Sequence, residues 1–394
     1  MADSFSASWR GMRELRLTII VGARPNFMKV APIVDALNAA RSAGATVAYQ
    51  LVHTGQHYDA RMSGAFFDDL GLPRPDINLE IGSGSHAEQT GRTMMAVEPV
   101  LTEFAPHVLI VVGDVNSTIA CALTATKMGI KVAHVEAGLR SGDRTMPEEI
   151  NRLGVDAIAD ILYTTDSGAD ANLAHEGVPA ERVVMVGNVM IDTLEKHRAR
   201  AAERGYAASL GLTPQGYATM TLHRPANVDT AERFVEILDA LRDGLGDLPV
   251  IFPIHPRTRA KAETFGLMGR FINTPGAPGI YLTEPLGYLE FLDLNANAAL
   301  VATDSGGLQE ETTILGVPCV TLRDNTERPI TVSEGTNRLA GTRRAGILAG
   351  LADALAATGT PSRPPLWDGR SGTRIVADLI ARHNAQQTKP AEPA

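Results

Sequence analysis

Glu136 and Glu148, with Arg140, Arg144 and Arg152, fall inside one stretch, HVEAGLRSGDRTMPEEINR, that runs from His134 to Arg152. It starts as an apolar strand, KVAHV, and crosses a loop rich in Gly, Ser, Asp and Arg. It ends at a helix start, Pro147-Glu148-Glu149. Proline suits a first helical position because its missing N–H would go unpaired there, and acids suit the first turn because of the helix dipole. Glu148 and Arg152 stand i,i+4 and share a helix face. Glu136 sits at the strand's exit, where open α/β sheets place ligands. The segment thus brings proton-exchanging and anion-holding groups to the carboxyl edge of a sheet. The same residues would equally make a capped helix with a surface ion pair, and residue type alone does not choose.

Other strand ends carry similar groups. Asp114 follows the apolar run His107–Val112 in Gly113-Asp114-Val115-Asn116-Ser117-Thr118. It is either a helix N-cap acid or, if Asn116 or Ser117 caps, a free carboxylate. Arg24 stands in the turn after Leu15–Val21, and Lys29 on the first turns of a helix read from Phe27 to Ala40. A lysine that close to a helix N-terminus opposes the dipole, which favours a functional reading over a solvated one. Gln56 and His57 follow the strand Val47–His53, and a lone histidine there is as readily structural. The stretch Ile81-Gly82-Ser83-Gly84-Ser85 is not a phosphate loop, since no strand precedes it and no GK[ST] follows. It leads into a helix from about His86 to Phe104.

In the second half, His223-Arg224 follows the strand Ala218–Leu222 and His255-Pro256-Arg257 follows Val250–Pro253. Tyr288 and Phe291 come after Ile280–Leu282, and Arg323 and Arg328 after Pro318–Leu322. Ala299–Ala302 runs into Thr303-Asp304-Ser305-Gly306-Gly307, which opens a helix bearing Gln309, Glu310 and Glu311. Glycines let backbone N–H groups approach an anion, and the helix start adds its positive dipole end. With Arg328 and His223 as companions, Ser305-Gly306-Gly307 reads as a diphosphate site. Glu310 or Glu311 would accept from ribose hydroxyls. Phe291 and Tyr288 either support a base or pack a core.

The elements that must position these groups alternate strand and helix throughout, the pattern of α/β domains with parallel sheets. A chain of 394 residues is too long for one ordinary core. Composition shifts at the charged stretch Glu195–Gly205, so the expected domains are 1–192 and 193–367, with a C-terminal helix at about 368–386 returning to the first. The net charge of −9 argues against sequence-blind nucleic-acid binding, so an anionic substrate must meet a local positive site. No run of eighteen apolar residues suggests a membrane span, and the polar start MADSFSASWRGMREL lacks a secretory h-region. Cys121 and Cys319 stand far apart, with no CxxC or Cys/His cluster for zinc. A reduced, cytoplasmic enzyme without a metal is the expectation.

The segments GARPNFMKVAPI, TGQHYD, GDVNST, HVEAGLRSGDRTMPEEINR, TLHRPANVD, IHPRT, TDSGGLQEE and TERPIT-x₃-GTN occur in this order. Together they make the chain resemble the UDP-N-acetylglucosamine 2-epimerases from about Leu17 to Asn337 and beyond. The resemblance implies two Rossmann-like domains facing each other across a cleft, as in the GT-B glycosyltransferase architecture. It also implies a homodimer, and no metal or nicotinamide cofactor. The implied reaction interconverts UDP-GlcNAc and UDP-ManNAc by losing the carbon-2 proton and UDP, then re-adding both to a 2-acetamidoglucal. Carried over by matching motif, Asp114, Glu136 and Glu148 are the catalytic carboxylates. Arg152 orients Glu148 or the substrate, and His223 helps UDP depart. Arg24, Lys29, His255, Ser305, Gly306, Gly307, Glu311 and Arg328 hold the substrate, with Phe291 near the uracil. Gln56 and His57 match a segment tied in some bacterial members to activation by a second UDP-GlcNAc. Two departures stand out. Val115 replaces the Thr many members carry, and Tyr58-Asp59 follows Gln-His as in archaeal-type members. Relatives act on diacetamido sugars too. The competing outcomes are a hydrolysing 2-epimerase releasing free ManNAc plus UDP, and a GT-B glycosyltransferase.

Overall fold

The computed structural model describes residues 14–22, 24–55, 71, 74–357 and 362–387. Gln56 and His57 lie outside the described residues. The chain divides into two compact units, one running through Thr193 and resuming at Pro365, the other spanning Leu194–Pro364. The helix Val189–Arg204 carries the chain from the first into the second.

The first unit holds β1 (Leu15–Val21), β2 (Val47–His53), β3 (Ile77–Asn78), β4 (Val108–Val112), β5 (Lys131–Ala137), β6 (Ile161–Thr164) and β7 (Val183–Met185). They form one sheet in the order β3-β2-β1-β4-β5-β6-β7, and the pairs are parallel. The VLIVV of β4 is buried at every position. An uninterrupted apolar run is what a parallel strand needs when both faces of its sheet are covered.

The second unit holds β8 (Ala218–Thr221), β9 (Val250–Pro253), β10 (Ile280–Thr283), β11 (Leu300–Thr303), β12 (Cys319–Thr321) and β13 (Asn337–Leu339). Their order, β10-β9-β8-β11-β12-β13, is again parallel and repeats the topology of the first. Its core packs Phe234, Phe252, Leu300 and Ile347 without exposure. Truncating a fully buried phenylalanine such as Phe252 to alanine would cost about 3–5 kcal/mol.

In each sheet the strand order reverses once, between β1 and β4 and between β8 and β11. Ligands of open α/β sheets bind in the crevice outside the carboxyl ends at such reversals. The sequence places Gly22–Asn26 and Gly113–Asn116 at the first, and His223 and Asp304–Gly307 at the second.

Two strands escaped the sequence reading. β3 is two residues long, and β13 reads Asn-Arg-Leu, so neither has an apolar run to announce it. The helix after β1 also starts earlier than expected, at Arg24 rather than Phe27, and runs to Ser42.

The C-terminal helix Ser371–Gln387 belongs to the first unit. Gly372 lies so close to the first helix that a Cβ there would stand 2.5 Å from the Pro32 carbonyl oxygen, and its N–H donates to Asp192 at 2.8 Å. Fully buried Trp367 donates from Nε1 to the Thr165 carbonyl at 2.9 Å. Both cysteines are free and buried. Among the described residues no helix is long and apolar enough to cross a membrane.

Candidate active site

The first unit's site is built around two residues with left-handed backbone, Gly113 at φ +66° and Glu136 at φ +71°. Glu136 interrupts the register of β5 against β6 between Val135 and Ala137. Such a bulge re-aims the side chain it carries. A non-glycine residue held in this region costs on the order of 1–3 kcal/mol, and strain of this kind gathers at functional sites. Glu136 is buried and forms an ion pair with Lys29, itself nearly buried on the first turns after β1. Gly113 makes room for that pair. A Cβ there would meet Lys29 Nζ at 2.9 Å and Glu136 Oε2 at 3.4 Å, besides the strain of its φ. Asn26 ties the same turn to β4 by donating to the Val112 carbonyl at 3.0 Å. Lys29, expected to hold UDP, is therefore the partner of Glu136. Arg24 begins the helix, but its side chain lies outside the described residues.

Asp114 follows Gly113 at the same edge and pairs with Arg152 at 2.5 Å. The N-cap reading of Asp114 fails, and so does its alternative. The cap position of the helix Asn116–Lys127 is Val115, and no side chain caps it. Asn116 instead donates to Gln89 at 2.9 Å.

The expected Glu148–Arg152 pair also fails. Pro147 does start the helix Pro147–Ile158, but Glu148 is exposed on its first turn. Arg152 turns to the neighbour, Glu149, donating from Nη2 at 2.7 Å and Nε at 3.1 Å. Glu149 is buried because it also accepts from Ser141 N, Ser141 Oγ and Gly142 N, each at 3.0 Å, and so pins the loop before the helix. Burial works to raise its carboxyl, but the Ser141 N–H and Arg152 hold it below the ordinary range. The i,i+3 spacing therefore wins over i,i+4, because only Glu149 can satisfy the loop as well.

Behind these groups lies a buried histidine. Both ring nitrogens of His134 face acceptors, Asp156 Oδ1 at 2.6 Å and the Gly113 carbonyl at 2.9 Å. Asp156 also accepts from Gly138 N at 3.0 Å and pairs with Arg140 at 2.7 Å. Burial acts to raise its carboxyl, and His134 and Arg140 more than offset that. The signal was in the sequence: a histidine inside KVAHV must find polar partners when its strand is buried.

In the second unit, His223 leaves β8 with its ring about half exposed and Nδ1 2.7 Å from the fully buried Asp304. His255 caps the helix Pro256–Thr264, accepting from Arg257 N at 3.2 Å, and burial followed by the nearby His223 and Arg257 holds its pKa down. A pocket of about 190 Å³ opens here, lined by Leu222, His223, His255, Pro285, Leu286 and Phe291. Tyr288 is buried and packs edge-on against His197, so of the two aromatics only Phe291 faces the pocket.

Ser305 precedes the helix Gly306–Leu315 without capping it, which leaves the first N–H groups unclaimed by its side chain. Arg328 packs over Gly306, where a Cβ would stand 2.6 Å from its Nη1 and the guanidinium would have to shift. A guanidinium thus lies at the positive end of a helix, an arrangement suited to a phosphate. Arg328 donates to buried Glu310 at 2.6 Å. Glu311, beside it, is pushed up to about 8 by burial and by the charge of Glu310. Glu327 goes the other way, to about 2, because the paired Arg323 and nearby Arg328 overcome its burial.

The structure therefore brings Asp114, Glu136, Lys29 and Arg152 together in one unit, and Ser305, Gly306, Gly307 and Arg328 in the other, where His223 and His255 share the pocket with Phe291. Asp304, Glu149 and the His134–Asp156 pair were not singled out from sequence.

Two parallel sheets, one edged by cation-paired carboxylates and the other by an uncapped helix start beside a guanidinium, make an α/β protein with charged groups at the carboxyl ends of its strands. Residues 39–380 match the family description UDP-N-acetylglucosamine 2-epimerase. The UDP-N-acetylglucosamine 2-epimerase of Methanocaldococcus jannaschii is 41% identical over 370 residues, covering 93% of this chain and 99% of that one. Its crystal structure in complex with UDP-GlcNAc and UDP superposes with a TM-score of 0.84, over 93% of this chain and all (100%) of that one. The UDP-2,3-diacetamido-2,3-dideoxy-D-glucuronate 2-epimerase of Pseudomonas aeruginosa is 39% identical, covering 93% of this chain and 100% of that protein. The chain belongs to the UDP-N-acetylglucosamine 2-epimerase family, a family of isomerases.

Proposed function

We propose that this chain interconverts UDP-GlcNAc and UDP-ManNAc without net hydrolysis. The observation that carries the reading is the pairing of Asp114 with Arg152 and of Glu136 with Lys29 at one strand edge. Carbon 2 of the hexose bears a weakly acidic proton, and carboxylates placed beside fixed cations suit its removal. The UDP moiety is assigned to the second unit, with uracil near Phe291, ribose at Glu311 and diphosphate at Ser305-Gly306-Gly307, Arg328 and His223. The hexose is assigned to Asp114, Glu136 and exposed Glu148.

The steps balance. One carboxylate takes the proton on carbon 2, and that electron pair forms the C1–C2 double bond. The C1–O bond breaks, and UDP leaves with its electrons as an anion stabilised by Arg328, His223 and the helix start. UDP then adds back to carbon 1 while a proton is delivered to the opposite face of carbon 2. A homodimer is carried by the family resemblance alone, and a cytoplasmic location by the sequence features given above.

The test is NMR of the sugar during incubation with UDP-GlcNAc in D₂O. Deuterium at carbon 2 with accumulating UDP-ManNAc is the expected outcome. Free sugar released in step with UDP would mean the hydrolysing course. Absence of exchange with UDP-GlcNAc, but exchange with a UDP-diacetamido sugar, would move the substrate toward that of the P. aeruginosa relative.

A further inference from the structure

We propose that Asp304 is a positioning residue that fixes the proton of His223 on Nδ1 and turns Nε2 toward the departing diphosphate. This rests on the reading that UDP leaves beside His223. Asp304 is fully buried between β11 and the helix Gly306–Leu315, yet all its partners come from the segment after β8. Its Oδ2 accepts from His223 N at 3.0 Å, Arg224 N at 2.9 Å and Asn227 Nδ2 at 3.0 Å. Its Oδ1 shares the His223 N–H, at 3.2 Å, and faces the imidazole, 2.7 Å from Nδ1. Asn227 is itself anchored to β12's exit, donating to the Leu322 carbonyl at 3.0 Å. Three fixed donors thus set the carboxylate's plane and hence the ring it faces.

An ionised carboxylate only accepts hydrogen bonds, so the nitrogen facing it carries the proton. Burial alone would raise the carboxyl, but His223, the Arg224 N–H and Asn227 hold it below its ordinary range. The other charged groups nearby are His255, whose charging His223 opposes, and Arg224, 3.8 Å from Glu327. A negative charge behind Nδ1 favours the imidazolium, whose second proton, on Nε2, donates a hydrogen bond to the oxygen released from carbon 1. No covalent step is added. The residue acts through His223 and does not touch substrate.

Asp304→Asn keeps an oxygen for the three Oδ2 donors but sets an amide NH₂ against Nδ1, which moves the proton to Nε2. In the full chain, kcat should fall about 10²–10⁴-fold while KM for UDP-GlcNAc moves far less. The decisive arm is a double-mutant cycle: on a His223→Gln background, Asp304→Asn should add no further loss of kcat. Equal losses on both backgrounds would mean a merely structural role and overturn the proposal, as would an unimpaired single variant. A variant-free measurement stands beside it. Nitrogen-15 shifts of His223 in the unmodified protein should show Nδ1 protonated, and a bare Nδ1 would overturn the assignment. Because that readout needs no turnover, a protonated Nδ1 in a protein that leaves UDP-GlcNAc unchanged would sink the reaction and keep the dyad.

Discussion

The two units share one sheet topology but treat their acids differently. At the order reversal of the first sheet, Glu136 faces Lys29, while Asp114 and Glu149 both face Arg152. At the equivalent place in the second, Asp304 is held by N–H groups and an imidazole, and Glu311 has only a carboxylate and a phenol beside it. Each of these carboxylates in the first unit faces a cation, and at Glu149 the Ser141 N–H and Arg152 hold the carboxyl below its ordinary range against burial. Burial and the charge of Glu310 push Glu311 up to about 8, the opposite direction from Glu149. One topology thus carries cation-paired acids in one copy and an acid held by N–H groups and an imidazole in the other.

The sharpest way to break this division is to neutralise the first unit's acids. Asp114→Asn and Glu136→Gln should each lower the rate of carbon-2 deuterium exchange by about 10²–10⁴-fold. Calorimetric affinity for UDP should stay near that of the unmodified protein. A large loss of UDP binding in either variant would mean that the acids are not separate from the nucleotide site.

Arg152 should matter next, through stability. Replacing it with Met leaves Asp114 and buried Glu149 without their cation, and removing one partner of a buried pair costs roughly 3–5 kcal/mol. Urea unfolding would read the loss. Glu149→Gln should share that destabilisation by releasing Ser141 and Gly142, whereas exposed Glu148→Gln should leave stability within about 0.5 kcal/mol and lose turnover only. If Glu148→Gln keeps full turnover, Glu148 leaves the set of catalytic carboxylates.

The smallest effect sharpens the comparison through pH. Glu149 and Asp156 have lowered pKa values in the fold, so the stability they lend exists above the ordinary carboxylate range and is lost as pH falls through their folded values. Glu311 is raised to about 8, so its contribution is complete below its unfolded value and fades as pH climbs toward 8. Hydrogen exchange should therefore show both units loosening in acid, the second through Glu327 and Asp304, and the second loosening toward pH 8 as well. Glu311→Gln should flatten the second trend, stabilising that unit at pH 8 but not at pH 5. An unchanged trend would remove Glu311 as its source.

Much of this was legible in the chain. β1, β4, β6 and β8 to β12 announce themselves as short apolar runs followed by glycine, proline or polar turns, whereas β3 and β13 pair at the sheet edges with no such run. The strand exits also gave Asp114, Glu136, His223 and Ser305 directly. What failed was partner choice. Glu148 and Glu149 both suit the first turn of a helix, and only the loop at Ser141–Gly142 decides that Glu149 takes Arg152. Lys29 was read as functional because its place opposes the helix dipole, but its partner Glu136 was not foreseen, being turned toward it by a bulge that no strand pattern foretells. Asp304 lay inside a motif already noted, but an acid between a strand and two glycines carries no mark of the histidine it meets.

The central claim is that carbon–oxygen cleavage beside His223 accompanies proton transfer by the first unit's acids. UDP-GlcNAc labelled with oxygen-18 in the bridge between carbon 1 and the β-phosphorus tests it in one tube of D₂O. The account predicts that the label scrambles into the non-bridging β-phosphate positions as deuterium enters carbon 2. Deuterium entering while the label stays in the bridge would contradict it.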